Sequence, residues 1–241
     1  MTAGLSDARI QAGMRRQFAL LQQQERAGAR RIGWKVGFGA PEAMEKLRIA
    51  APLIGFLLEG AVLRSGATVS LSSWTKPAAE PEIAIEIGRD LTGGASDAEV
   101  AKAIVAIGPA IELADVDGPA DDVEAILAGD IFQRHVIFGP RDTGRAGATL
   151  NGLVGQVIRS GWDVPVPADL ETNTGALRVI VRQVAETLSA FDRQLHAGDL
   201  IIAGSVTPPQ FLEAADNHFN WALHPIGEVS VNFASAGQRG S

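Results

Sequence analysis

The sequence contains no cysteine. That absence removes disulfides, thiolate nucleophiles and cysteine-ligated zinc or iron–sulfur centres together, leaving oxygen and imidazole donors for any metal. Long apolar runs are missing too: no stretch approaches the roughly 18 to 20 residues of a membrane span, and Met1 to Gly13 has no continuous apolar core of the signal-peptide kind. A cytoplasmic location is the default expectation. No basic stripe is present, and a net charge of −7 suits neither nucleic acid nor an anionic membrane, so small molecules are the expected partners. Repeats, low-complexity tracts and linkers are also absent. With 46% hydrophobic and 20% charged residues, the 241-residue chain reads as ordinary globular protein. We expect one domain over 1–241, with an N-terminal helical segment over 1–30 and a flexible tail over 234–241.

What is present is a strand with carboxylates on one side. In Glu80-Pro81-Glu82-Ile83-Ala84-Ile85-Glu86-Ile87-Gly88 the period is two, setting Glu80, Glu82, Ala84 and Glu86 against Pro81, Ile83, Ile85 and Ile87. Like charges two residues apart on one face repel unless they are well solvated or share a cation. On pattern alone, both a divalent metal at Glu80 and Glu82 and a solvated acidic face stand. A second alternating stretch, from Arg31 to Phe38, places Lys35 between Gly33 and Gly37 on one side. A lysine so flanked is expected in open space, where a ligand reaches its amine; the alternative is a surface lysine on an edge strand. In Ala110-Ile111-Glu112-Leu113-Ala114-Asp115, Glu112 sits opposite the apolar Ile111 and Leu113, as in a buried strand.

Elsewhere Ser6 is expected to cap an amphipathic helix carrying Ile10, Met14, Phe18 and Leu21 and ending near Ala27-Gly28. Residues 39–52 read as a short helix placed to cover a site. Strands are expected at 54–58, within 61–71 with a break at Ser65-Gly66, at 131–138 carrying Arg134 and His135, at 154–159, at or near Val179, at 200–203 and at 228–233. Residues 175–188 compete as a helix. Ser96 and Glu99 form a capping box for a helix over 97–106, which Gly108-Pro109 breaks. Asp115, Asp117, Asp121, Asp122 and Glu124 read as a solvated loop entering a helix, and His196, His218 and His224 as turn or surface residues.

Taken in order, Gly33-Trp34-Lys35-Val36-Gly37, Glu80-Pro81-Glu82-Ile83-Ala84 running into Gly88-Arg89-Asp90-Leu91, Ala110 to Asp115, and Ala197-Gly198-Asp199 with Gly204-Ser205 form a series. The series resembles the 2-keto-4-pentenoate hydratase and 4-oxalocrotonate decarboxylase family of the fumarylacetoacetate hydrolase superfamily, along almost the whole chain. That resemblance implies an α+β fold, largely a mixed β sandwich or rolled barrel with an N-terminal helix, and a homo-oligomer. It implies Mg²⁺ or Mn²⁺ held by Glu80, Glu82 and Glu112, with Lys35 as the active-site lysine and Glu59 near a family acidic position. The implied activity is metal-dependent addition of water to a 2-hydroxy-2,4-dienoate in the catabolism of aromatic-derived acids. Lys35 or Glu59 would move protons, while Arg134, Ser205 and Thr207 grip the substrate's anionic groups.

Decarboxylation of a 2-oxo-3-enedioate uses the same enolate and is the first alternative. Acylpyruvate hydrolysis is another, although residues 39–52 offer Glu42 and Glu45 without the histidine of the superfamily's hydrolases. A non-catalytic metal- or ligand-binding homologue is the alternative of a different class; Lys35 beside three glutamates argues against it. Two departures bear on substrate identity and structure. Gly129-Asp130-Ile131-Phe132-Gln133-Arg134 stands where family members carry an Asp-Asn-small-Ser-Ser run, and Glu86 replaces an apolar residue, with Arg89 as its expected partner.

Overall fold

The computed structural model describes residues 3–234, so the expected flexible tail falls outside the described residues from 235 onwards. The first long element is α1 (Ala8–Arg26), which buries Ile10, Met14, Phe18 and Leu21 along one stripe. Asp7, one residue past the expected Ser6, caps it by accepting from the Arg9 N–H at 2.9 Å. There follow β1 (Arg31–Gly37), α2 (Pro41–Leu47), β2 (Leu53–Leu58), β3 (Val62–Leu63), β4 (Ala67–Ser70), β5 (Pro77–Ile87), α3 (Asp97–Ala103) and β6 (Ile104–Asp115). After α4 (Val123–Ala128) come β7 (Gln133–Phe138), β8 (Val154–Arg159), β9 (Trp162–Val164), α5 (Leu177–Ser189), β10 (Leu200–Ser205), β11 (Gln210–Phe211), β12 (His218–His224) and β13 (Gly227–Ala234).

Among the described residues the strands make two mixed sheets. One has the order β2-β1-β10-β5-β6-β7-β3, with β11 added at the start of β5; the other has the order β4-β13-β12-β8-β9. The first curls into a half-barrel, and with the helices this is the expected α+β architecture. Its spine is the β5–β6 ladder, paired from Pro77 opposite Asp115 to Ile87 opposite Ile104. Ile83, Ile85, Ile107, Ile111 and Leu113 turn to the main core, shared with α1, α5 and the second sheet. Trp221 of β12 ties the sheets together, its buried indole N–H donating to the Glu82 carbonyl at 2.8 Å. The other face of the half-barrel holds a small cluster of Leu57, Ala84, Ala110, Val136 and Ile202. No helix among the described residues is long and apolar enough to cross a membrane.

Several expectations need correction. The capping box at Ser96 and Glu99 forms, but the helix stops at Ala103 and Gly108-Pro109 lies inside β6. Pro109 is tolerated because its carbonyl points to Gly139, just beyond the end of β7, so the missing N–H costs no bond to β5. Around Val179 the helix prevails, since Leu177, Ile180, Val181, Val184 and Leu188 recur at helical spacing and are buried while Val179 is exposed. His218 and His224 bound a strand in which Phe219, Trp221 and Leu223 are buried, although His224 itself lies at the surface as expected and the half-buried His218 ring is bonded locally, 2.9 Å from Asn232 Oδ1. Asp115 is not solvated: it is buried and accepts from the N–H groups of Thr75 and Lys76 at 2.9 and 2.7 Å. Glu86 pairs with Arg141 at 2.8 Å rather than with Arg89.

Gly33 marks the tightest strand approach. It lies opposite Leu200 in the parallel β1–β10 pair, and a Cβ there would sit 1.9 Å from the Leu200 carbonyl oxygen. Gly33→Ala is therefore expected to cost about 2–3 kcal/mol of stability, measured by denaturant unfolding; an unchanged midpoint would contradict this register.

Candidate metal and catalytic site

The β5–β6 register sets Glu80 directly opposite Glu112, and Glu82 opposite the small Ala110. One carboxylate oxygen from each of Glu80, Glu82 and Glu112 lies within 4.8 Å of the other two. Glu82 and Glu112 are buried and Glu80 is half-buried, which removes the solvated acidic face as a reading. Lys35 reaches the group from β1. Its Nζ donates to Glu112 Oε1 and, at 3.0 Å, to the carbonyl of Ile131.

Lys35 does not stand in open space; it is 2% exposed. The side Gly33 leaves bare is filled by the Leu200 backbone, and Gly37 faces Ile131 Cγ2, 3.0 Å from where a Cβ would be. The lysine's room comes instead from Gly55, its partner on β2, where a Cβ would lie 2.9 Å from Lys35 Cγ.

Three carboxylates against the single Lys35 ammonium crowd negative charge into one buried place, an excess that a divalent cation would offset. Glu82 supplies a sharper criterion. The β5–β10 register slips between Ile202 and Ser205, and there the Gly204 N–H donates to Glu82 Oε2 at 2.7 Å; Glu82 Oε1 is buried with no donor. A buried carboxylate oxygen without a partner is costly, and a cation satisfies it. An all-oxygen donor set of this kind fits a hard cation such as Mg²⁺ or Mn²⁺.

The electrostatics agree. Burial and the Glu112 carboxylate push Glu80 up to about 7 against the pull of Lys35. Burial, then Glu112 and Glu80, push Glu82 well above the usual carboxylate range. Burial pulls Lys35 down, but Glu112 and Glu80 more than offset it and the ammonium is held above its ordinary value. A carboxyl raised in the folded state contributes stability below its unfolded pKa and loses it as pH rises through the folded value. For Glu80 that window runs from 4.5 to about 7. The metal-free protein should therefore lose stability across this window. Mg²⁺ or Mn²⁺, which must displace protons at the lower pH, should raise Tm more at pH 8 than at pH 6. Thermal melts with and without metal test this; equal shifts at both pH values would contradict it.

Above Lys35 and Glu80 opens a cavity of about 460 Å³, walled by Phe38, Ala78, Val116, Phe132 and Phe211 and flanked by α2 with Glu42 and Lys46. Ser205 and Thr207 are among its lining residues. The Ser205 Oγ is buried with no partner, and Thr207 Oγ1 donates to the Pro208 carbonyl at 3.0 Å.

Two expected site residues are not brought there. Glu59 is exposed and paired with Arg30, its Oε2 accepting from Arg30 Nε at 2.8 Å. Because Leu58 pairs with Arg31 while Gly55 pairs with Lys35, Glu59 follows the far end of the strand pair, four residues or roughly 13 Å along β1 from Lys35. Arg134 lies outside the lining and is held by Asp117 and, at 3.5 Å, by Asp115. His135, opposite Leu113, is turned to the face away from the glutamates and packs near Trp74, the ring centroids 6.0 Å apart. Sequence reasoning missed Gly55, Asp130, Asn173, Lys46 and Lys76. Only Gly55 carried a usable signal, as a glycine within an otherwise apolar strand.

Comparison with known proteins places this geometry. No family model matches the chain. A 2-hydroxyhexa-2,4-dienoate hydratase of Comamonas testosteroni is 28% identical over 222 residues, covering 89% of this chain and 82% of that protein. A 4-oxalocrotonate decarboxylase of a Pseudomonas species is 25% identical over 228 residues, covering 91% of this chain and 84% of that protein. Among solved structures, the 4-oxalocrotonate decarboxylase of Pseudomonas putida G7, complexed with magnesium and adipate, superposes with a TM-score of 0.82 at 22% identity, over 90% of this chain and 83% of that one. The chain thus has the fold of that decarboxylase, a fold it also shares with the fumarylpyruvate hydrolase of Pseudomonas aeruginosa at a TM-score of 0.66.

Proposed function

We propose that this homologue of 2-keto-4-pentenoate hydratases and of a 4-oxalocrotonate decarboxylase adds water to a 2-hydroxy-2,4-dienoate, with Glu80, Glu82 and Glu112 holding Mg²⁺ or Mn²⁺ and Lys35 moving protons. The observation that carries the reading is the Lys35 ammonium, buried against Glu112 yet opening on to a largely apolar cavity. When bound, the cation supplies Lewis-acid stabilisation for negative charge developing on the substrate's 2-oxygen.

The remaining work falls to side chains of this chain. The unpartnered Ser205 Oγ offers a hydrogen bond to the substrate carboxylate, and Thr207 can join it by turning its hydroxyl away from the Pro208 carbonyl. Ala78, Val116, Phe132 and Phe211 take the hydrocarbon and keep bulk water from it. Lys35 Nζ, at the cavity floor, gives and takes protons on the carbon skeleton. One proton leaves the 2-hydroxyl and one arrives at C5, then water adds at C4 while C3 is protonated, so the product has gained one water. The lining contains no histidine among the described residues, which favours addition over hydrolysis. We further propose that the chain acts as one catalytic domain, because α1 through β13 contribute to one hydrophobic cluster.

Decarboxylation is the second reading, and a specific observation favours it. Lys46 and Lys76 line the same cavity, and no ion pair engages either among the described residues, although Lys76 Nζ sits 4.3 Å from the Phe211 ring centroid. Together they suit a second carboxylate. Purified protein with Mg²⁺, given 2-hydroxypenta-2,4-dienoate and separately a 2-oxo-3-enedioate, separates the two by NMR of the product and by CO₂ release. Formation of 4-hydroxy-2-oxopentanoate is expected; CO₂ release from the enedioate without hydration would move the assignment to decarboxylation.

A further inference from the structure

Asp130, Ile131 and Phe132 are consecutive, all carry side chains, and all lie in the left-handed region, with φ of 57°, 54° and 61°. Left-handed backbone is uncommon for single residues of this kind and least suited to a β-branched isoleucine. A run of three persists only where its surroundings over-determine it. Those surroundings are specific here. Asp130 Oδ1 accepts from the Phe56 N–H of β2 at 2.8 Å, in a gap left by Gly55, where a Cβ would lie 2.7 Å from that oxygen. The Ile131 side chain closes over Gly37. The Ile131 carbonyl, turned inward by the left-handed backbone, accepts from Lys35 Nζ at 3.0 Å, and the Phe132 ring becomes cavity wall.

We propose that Asp130 is a positioning residue: its carboxyl clamps the left-handed turn on to β2, so that the Ile131 carbonyl holds the Lys35 ammonium against Glu112. The inference rests on Lys35 being the group that moves protons. The clamp needs an acceptor for the Phe56 N–H rather than a charge, so asparagine serves and alanine does not. Asp130→Ala leaves a buried N–H without an acceptor and frees the turn to relax toward the right-handed region.

Two readouts on the Mg²⁺-loaded protein test this. The first is reductive methylation of lysines with formaldehyde and cyanoborohydride, read residue by residue by mass spectrometry, with Lys46 and Lys76 as internal references. Asp130→Ala should expose Lys35 to modification at least about tenfold faster than wild type, through local opening, while Asp130→Asn stays protected. The second is turnover. Asp130→Ala should lower kcat by about 10²-fold, with Mn²⁺ affinity and KM little changed, and Asp130→Asn should restore it.

Equal protection of Lys35 in wild type and Asp130→Ala overturns the inference, whatever the turnover. So does an Asp130→Asn variant as impaired as the alanine. A wild-type protein inactive on dienoates would instead defeat the functional reading and leave the labelling test standing. Should Asp130→Ala fail to fold, Gly55→Ala takes its place, since the added Cβ presses first on Asp130 Oδ1, 2.7 Å away, and then on the Lys35 stem. Normal protection of Lys35 in that variant overturns the proposal.

Discussion

Lys35→Ala is expected to abolish turnover, lowering kcat by about 10³-fold, while the protein stays folded and keeps its metal. The ammonium pairs with Glu112 and also lines the cavity. Removing it deletes the group placed to exchange protons with substrate, but it leaves all three carboxylates in register on β5 and β6. Their affinity for a divalent cation should hold or rise, because a competing positive charge is gone. The cost appears in the metal-free protein. There Glu112 loses its buried partner, and stability should fall by about 3 kcal/mol, a loss that Mg²⁺ or Mn²⁺ repairs. Steady-state kinetics and metal titration on the same sample separate the effects. A variant with metal bound and near-normal turnover would mean that Lys35 is only a counter-charge to Glu112 and takes no part in the chemistry.

Glu82→Gln should have the opposite signature. It is the most enclosed of the three carboxylates, with Oε2 held by Gly204 and Oε1 without a donor. Replacing it by a neutral side chain of the same shape should weaken Mn²⁺ binding by at least about 10²-fold, roughly 2.7 kcal/mol. Burial and two neighbouring carboxylates already resist ionisation of Glu82. Metal-free Glu82→Gln should therefore melt higher than metal-free wild type at pH 8, where ionising the native residue costs most. Loss of metal binding with a gain in metal-free stability distinguishes a ligand from a structural carboxylate, whose removal would lower both. Unchanged Mn²⁺ affinity would show that the three glutamates do not hold the metal.

The alternation of β5 and β6 was legible because their apolar sides face a thick core, and such strands keep strict period two. Glu80 and Glu82 fell on one face, and Glu112 fell between Ile111 and Leu113, for that reason alone. Their convergence was not legible, since it depends on the register that sets Glu80 opposite Glu112, and no local pattern encodes register between strands. Glu59 shows the same limit from the other side. It follows the strand that pairs with Lys35, but at the end where β1 begins, and only the pairing reveals this.

Arg134 looked free because charge alone does not say which acid will claim it, and Asp117 and Asp115 do. Pro109 read as a break because the tolerance for it lies in β7 ending one residue earlier. Asp130 was invisible for a different reason. Left-handed turns usually announce themselves through glycine or asparagine, and this one is built from aspartate, isoleucine and phenylalanine, held by a bond to a strand more than seventy residues away in sequence.

The most direct measurement is the ultraviolet loss of freshly generated 2-hydroxypenta-2,4-dienoate by purified protein, with Mg²⁺ or Mn²⁺ and again after chelation. The glutamate site and Lys35 together predict rapid loss with metal, formation of 4-hydroxy-2-oxopentanoate, and silence with chelator that added metal reverses. Turnover unaffected by thorough chelation, or none in a folded and metal-loaded sample, would contradict the account.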